Sequence, residues 1–515
     1  MTDGPFVLGC DVGSQGTNVA LYAADGALVA SSYQTYDLAF PFPGAAEQDA
    51  DAWAPAIVAG VRDVLTRVDD PSAVKGLSFG SQLDGMVVCG TDGRALRPAM
   101  IWMDRRAEAQ AAAVAERMAP EDFYRAVGAN LDSSHAVFKA LWVREEEPDV
   151  WSRAAFLLTP GSYVLREVAA TVAVDYSNAS SMALLDPRTR TWSAEALAAT
   201  DLPMELLPEV VAATEPISRV SAAFAAATGL DVSTVVAVGC GDEMAATLGA
   251  GVFAPGDVCD VVGTAEPVCA ASAEPREDPT MLVECHPHAD PDAWLLENPG
   301  FVSGGNLRWW RDQFAPIERD AEAVGLGDAY DFLSTEAGHV DPGAEGLVFL
   351  PCMQGAMAPE WNGAARGVFY GLTLAHTRDH MTRAILEGSA FALRDILTAM
   401  RDAGLDVRRL TIVGGGAKGP LWRQIKADVT GLPVRVPVSV ETTATGAAIL
   451  AAVGAGVHAS VADAVEAFVA YRPEVHEPDA ALAGAYDDAY VRYRAVYDAL
   501  KPVFAAGWGQ SSGVT

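Results

Sequence analysis

The sequence predicts an α/β protein built from a duplicated unit. Three observations predict it. Strand-like apolar runs alternate with Ala-rich amphipathic segments throughout the chain, the pattern of sheets covered by helices. A β-hairpin with a polar, glycine-rich tip opens the chain, and a similar one recurs about half a chain later. The 515 residues also exceed what one ordinary hydrophobic core organises, so two large domains are expected.

In order, residues 7–11 read as a strand, 12–17 as a Gly-rich turn, and 18–22 as a second strand. Asp25 and Gly26 then form a hairpin turn, and 27–31 a third strand. In the middle, Gly256 and Asp257 make a turn and 258–262 a strand. Gly263 and Thr264 form the second tip, and 267–271 return. The segment 232–251 lies between the halves, so the chain is divided at 1–252, 253–456 and a helical tail, 457–515. The polar, Gly-rich end at 507–513 is expected to be disordered.

Charge and composition exclude some functions. A formal net charge of -33 repels nucleic acid and anionic membrane. It also repels phosphorylated ligands at long range, so any site for one must be local, built from backbone N–H groups, a helix N-terminus and a divalent cation. No run of 18 apolar residues suggests a membrane span. Residues 1–5 have neither the basic nor the apolar character of an export signal. The seven cysteines, at 10, 89, 240, 259, 269, 285 and 352, form no C-x-x-C pair and fit a reducing cytoplasm. Cys285, His286 and His288 around Pro287 are read as a loop rather than a metal cluster.

Three stretches can carry chemistry. In the first, Gly13 and Gly16 let backbone N–H groups approach a phosphate, and Ser14, Gln15 and Thr17 add polar side chains. Asp11, at the strand end, can hold Mg²⁺ through water. An ordinary Gly-rich hairpin is the alternative. In the second, an apolar strand at 235–238 runs into a glycine turn, and Asp242 starts an Ala-rich helix. Asp242 is either a reactive carboxylate or simply the N-cap. In the third, strand residues Ile412 and Val413 feed Gly414, Gly415, Gly416 and Ala417. A flat base could lie there, or the turn is only a tight strand-to-helix connection. No G-x-x-x-x-G-K-[ST] loop and no dinucleotide fingerprint occurs. Three glycine turns after strands point together to a nucleotide-dependent transferase.

At this point the residues resemble a family, the FGGY carbohydrate kinases, and within it most the xylulose kinases. The resemblance runs from Phe6 to about Gly456. Residues 367–372, followed after seven residues by 380–387, are similar to the C-terminal family signature. Residues 133–142, with Lys139 and Trp142, look like the N-terminal one. Lesser matches follow in family order at 47–49, 101–106, 175–180 and 304–311.

The resemblance implies two actin-like, ribonuclease H-like domains with the active site in the cleft between them. It implies that Asp11 to Thr17 form the first phosphate loop, Gly263 and Thr264 the second, and Gly415, Gly416 and Ala417 the adenosine loop. Gly304 and Arg308 would line the nucleotide, and Asp242 would be the general base and, with Asp11, a Mg²⁺ ligand. The sugar site would take Gln82, Leu83, Asp84, Trp102, Asp104 and Asp242. ATP and Mg²⁺ are the implied cofactors, D-xylulose the first expected acceptor, and another pentulose or a small polyol the alternative.

Xylulose kinases usually carry Met-His where this chain has Leu83 and Asp84. An ionised aspartate only accepts hydrogen bonds. Either it reads sugar hydroxyls, or it turns away to pair with Arg105 or Arg106. A ribokinase-type kinase is a rival reading, but its glycine-rich aspartate motif closes a shorter chain, whereas 239–242 lies mid-chain. A second rival is an actin-like or chaperone-type ATPase, which needs no sugar-site tryptophan. Homodimerisation stays open at this stage.

Overall fold

The computed structural model describes residues 4–506. The expectations for Met1 to Asp3 and for the polar end at 507–513 lie outside the described residues.

Strand Phe6–Val12 is buried along almost its whole length, as a central strand covered on both faces must be. It runs antiparallel to Gly16–Ala23, with Val12 opposite Thr17, and parallel to Val74–Ser81. Leu28–Thr35 closes that edge and alternates between exposed and half-buried residues. Val235–Ala237 then lies parallel to Val74–Ser81 on the far side.

The second sheet repeats this order. Asp257–Val261 pairs antiparallel with Ala265–Ser272, which pairs antiparallel with Trp294–Val302. Asp257–Val261 runs parallel to Arg409–Val413, and Val434–Arg435 adds the fifth strand. Both sheets therefore read third, second, first, fourth, fifth. This is the actin-like, ribonuclease H-like arrangement, and it bears out the duplication expected from the two hairpins.

Helices Asp242–Gly249 and Thr442–Gly454 share a core that draws on both sheets, through Val7, Tyr22, Cys259 and Cys269 among others. Their backbones touch. A Cβ on Gly446 would sit 1.9 Å from the Ala245 carbonyl oxygen, and one on Gly249 1.9 Å from that of Thr442. Only glycine permits this approach. Thr442–Gly454 also packs on Phe6–Val12 and Val74–Ser81 of the first sheet, although the sequence division assigns it to the second unit.

The tail from 457 differs from a plain helical extension. Val461–Phe468 and Ala483–Ala505 are helices. Between them the chain is extended, bridging His476 to Val434 and Tyr471 to Pro437. Pro473 and Pro478 interrupt helix formation there. The last helix buries Tyr486, Tyr493 and Tyr497 in the second core. Residues 285–288 also differ from expectation. Glu284–Pro287 is a strand paired with Trp294–Val302, and Pro287 is tolerated because the strand is an edge.

Candidate active site

The second hairpin tip borders two cavities. The first, about 380 Å³, is lined by Leu83, Asp84 and Trp102 from the first unit and by Thr264, Glu297 and Trp361, among others, from later in the chain. The second, about 330 Å³, is lined by Gly263, Thr264, Gly304, Arg308, Gly415 and Gly416, among others. Thr264 belongs to both walls. The second cavity thus gathers residues that are far apart in sequence and that sequence reasoning assigned to one nucleotide. Ala417 is buried beside it. Gly304 cannot carry a side chain, since a Cβ would lie 2.3 Å from the Gly263 carbonyl oxygen.

The first hairpin tip sits at the rim of the first cavity, because Trp102 Nε1 donates to Ser14 Oγ at 2.8 Å. Tyr36 donates its hydroxyl to the Gly13 carbonyl at 2.5 Å, and Gln48 donates to that of Ser14. Gln15 is exposed and Gly16 buried. Thr17 is buried, and its hydroxyl is turned to Tyr36 at 3.4 Å. Thr17 and Thr264 are therefore not equivalent, as the paired hairpins suggested.

Three expected sugar residues, Gln82, Asp104 and Asp242, do not line the cavity. Gln82 is buried and donates to Gln48 Oε1 at 2.7 Å, bracing the loop. Asp104 is fully buried, accepting from Ala46 N at 2.8 Å and from Arg106 Nε at 2.9 Å. Arg106 also pairs with Glu47 and lies over the Trp142 ring. Asp104 is thus held in a buried ion pair, which its sequence position alone did not reveal.

Asp242 is the first residue of its helix and Gly241 the cap, so the simple N-cap reading does not hold. Its carboxylate accepts from Glu243 N at 3.0 Å. Burial and the charge of Asp11 push its pKa up to about 8. Burial and Glu441 push Asp11 up to about 7. Among the described residues neither carboxylate is paired with a lysine or arginine. Two carboxylates that no basic side chain among the described residues neutralises, one raising the pKa of the other, are donors of the type a hard divalent cation such as Mg²⁺ takes.

Asp84 pairs with neither neighbouring arginine. Arg105 is bound to Asp132 and Arg106 to Asp104. The partner of Asp84 is His135, at 3.0 Å. His135 begins a buried series that sequence reasoning missed. Its Nε2 lies 3.8 Å from Glu284, and Glu284 lies 3.3 Å from His286. His286 also meets Ser180 Oγ at 2.7 Å. Burial opposes charge on His135, yet Asp84 and Glu284 raise its pKa well above the ordinary value. Burial likewise opposes the charged form of Glu284, but the neighbouring imidazoles of His135 and His286 hold it well below the usual carboxylate range. Glu297 lies near Glu243, which accepts from Cys269 Sγ at 3.1 Å, and burial and Glu243 raise its pKa. The only signals in the sequence were His135 inside the 133–142 stretch and the polar run at 284–288.

Duplicated ribonuclease H-like sheets, a hairpin tip shared by two cavities and two half-buried aspartates with no basic partner among the described residues mark an ATP-using protein of the actin-like class. The chain belongs to the FGGY family of carbohydrate kinases: the family's N-terminal domain matches residues 6–249 and its C-terminal domain residues 260–455. It is an ATP-dependent sugar kinase. A gluconokinase from Bacillus licheniformis is 30% identical over 450 residues, covering 86% of each chain. A xylulose kinase from Staphylococcus epidermidis is 29% identical over 506 residues, covering 97% of this chain and 98% of its own. The crystal structure of a xylulose kinase from Rhodospirillum rubrum superposes with a TM-score of 0.90 at 29% identity, over 97% of this chain and all of that one, 100%.

Proposed function

We propose that this kinase phosphorylates a neutral ketose, first D-xylulose to D-xylulose 5-phosphate, with another pentulose or a small polyol as the alternative. The observation that carries this reading is the wall of the first cavity. Asp84, Asp132, Glu284 and Glu297 line it, and its cationic side chains are already engaged: Arg105 is bound to Asp132, His135 meets Asp84, and His286 meets Glu284. An aldonate such as gluconate would bring a further carboxylate against these acids. A neutral polyol chain instead offers hydroxyl donors to Asp84, which can only accept.

In this reading Leu83, Asp84 and Trp102 hold the acceptor, while Gln82 and Asp104 support the wall from behind. The second cavity takes the adenosine side of ATP, against Gly304, Arg308, Gly415, Gly416 and Ala417. Gly263 and Thr264 reach its phosphates from one side and the Asp11 to Thr17 loop from the other. Mg²⁺, held by Asp11 and Asp242, supplies neutralisation of phosphate charge when bound. Asp242 accepts the proton of the attacking hydroxyl, and an affinity for protons near neutral pH suits that task. The remainder of catalysis is alignment and charge stabilisation.

No helix among the described residues is long and apolar enough to cross a membrane. The cysteines are all free and buried, in keeping with the proposed cytoplasmic location. The three-part division of the chain and a homodimer are likewise proposals. The test is a coupled ADP assay over D-xylulose, other ketoses, polyols and gluconate. ADP release should depend on the acceptor and be fastest with D-xylulose. Gluconate as the best acceptor would overturn the neutral-acceptor reading, and turnover indifferent to any sugar would favour an ATPase.

A further inference from the structure

Asp84 stands in an unusual conformation. Its φ of 57 lies in the left-handed region, which aspartate enters more easily than most residues but still at a cost. Three contacts hold it there. Lys139 Nζ donates to the Asp84 carbonyl at 2.6 Å. The Asp84 N–H donates to Ser181 Oγ at 3.3 Å. His135 Nδ1 meets Asp84 Oδ1 at 3.0 Å.

The proton on that imidazole nitrogen is fixed by its surroundings. Nδ1 also lies 3.2 Å from the Ser181 carbonyl oxygen. Both neighbours are acceptors, so Nδ1 must carry hydrogen whether the ring is neutral or charged. His135 precedes helix Ala136–Glu146 as its cap residue, yet its side chain makes no capping hydrogen bond. The ring is committed to Asp84 instead. On its far side, Nε2 has only Glu284 nearby, at 3.8 Å, and Glu284 is itself fixed by Asn130 N at 2.7 Å. Glu284 lies on the edge strand of the second sheet.

We propose that His135 is a positioning residue for acceptor specificity: by donating to one carboxylate oxygen of Asp84, it leaves the other as the acceptor that reads a sugar hydroxyl. This rests on the reading of the first cavity as the sugar site. His135 also lines the cavity, and the role assigned to it here is exercised through Asp84. The two residues form one unit, so a carboxylate at 84 and a hydrogen-bond donor at 135 are required together. Without the donor, the carboxylate is free to rotate on its left-handed backbone, and its hydrogen bond to the acceptor is lost from the bound state.

The experiment is a double-mutant cycle with Asp84→Asn, His135→Leu and the pair, read as KM and kcat for D-xylulose and KM for ATP. His135→Leu should raise the D-xylulose KM about tenfold, while the ATP KM stays within about twofold, because one hydrogen bond to the acceptor is lost. His135→Asn, whose amide can donate near the Nδ1 position, should recover most of the loss. The double variant should be no worse than Asp84→Asn alone. A purely structural role would move both KM values and would show no rescue by asparagine. If His135→Leu does not fold, His135→Ala takes its place in the cycle. Additive losses, or an unchanged D-xylulose KM in His135→Leu while Asp84→Asn raises it, would overturn the proposal. If Asp84→Asn alone changes no acceptor KM, Asp84 reads no sugar and both the proposal and the assignment of that wall fail together. Absence of D-xylulose turnover in the wild type instead sinks only the choice of D-xylulose, and the cycle is then run with the best acceptor of the panel.

Discussion

The charge of Asp11 raises the proton affinity of Asp242, and neither carboxylate has a basic side chain to offset it among the described residues. One strand end from the first hairpin and one helix start from mid-chain thus share a site that is short of positive charge. An enzyme that awaits a metal nucleotide has reason to leave that charge uncompensated.

Asp242→Asn is expected to keep the fold and ATP binding and to lower kcat by about 10²–10⁴, the scale of a lost general base. Steady-state kinetics with ATP titrated separately provide the check. A variant within a few-fold of wild type would remove Asp242 from proton transfer.

The same residue gives a pH signature in the Mg²⁺-free protein. A folded-state pKa of about 8, against 3.8 in the unfolded chain, means the folded state keeps the proton longer. That contribution to stability is full below about pH 4 and is lost as pH rises towards about 8. Between about pH 5.5 and about pH 8, the Tm of the wild type should therefore fall more than that of Asp242→Asn. Added Mg²⁺ should recover more of the wild-type Tm at the higher pH. Parallel curves for the two proteins would show that Asp242 is not the titrating group.

Thr264 lines both cavities, whereas the Thr17 hydroxyl is spent on Tyr36. Thr264→Val should raise the KM for ATP or lower kcat by about tenfold, the effect of roughly one lost hydrogen bond. Thr17→Val should change either by less. Sugar binding measured without nucleotide should stay near normal in both. Equal effects of the two substitutions would contradict the asymmetry of the tips.

Asp84→His restores the residue usual in xylulose kinases. The ratio of kcat/KM for D-xylulose over the best polyol should rise about tenfold, or ~1.4 kcal/mol. Equal losses for both acceptors would mean that position 84 does not choose between a carbonyl and a hydroxyl.

Much of this architecture was legible because its signals are local. Val7 to Tyr22 carries its own alternation and turn chemistry, and so does the second hairpin, so the duplication could be read directly. Asp242 stood out because a strand, a glycine turn and a helix start follow one another in sequence. The environment of the first cavity was not local. Nothing near Asp84 in sequence shows that His135 will meet it, or that Asp104 will be absorbed by Arg106, because these partners are chosen by packing. Glu284 and Glu297 come to the same wall only once the second sheet is formed. The run at 285–288 was misread for a related reason: its proline suggested a loop, and only the free edge of a sheet made a strand acceptable there.

The glycine contact between Asp242–Gly249 and Thr442–Gly454 has a mechanical consequence. Two helices that meet backbone to backbone have no side-chain layer in which to slip, so they behave as one spindle between the sheets. Whatever swing brings the hairpin tips together over bound ligands must turn about that spindle or carry it whole. Asp242 would then be the stationary part of the machine, with its placement tied to a segment two hundred residues further along the chain.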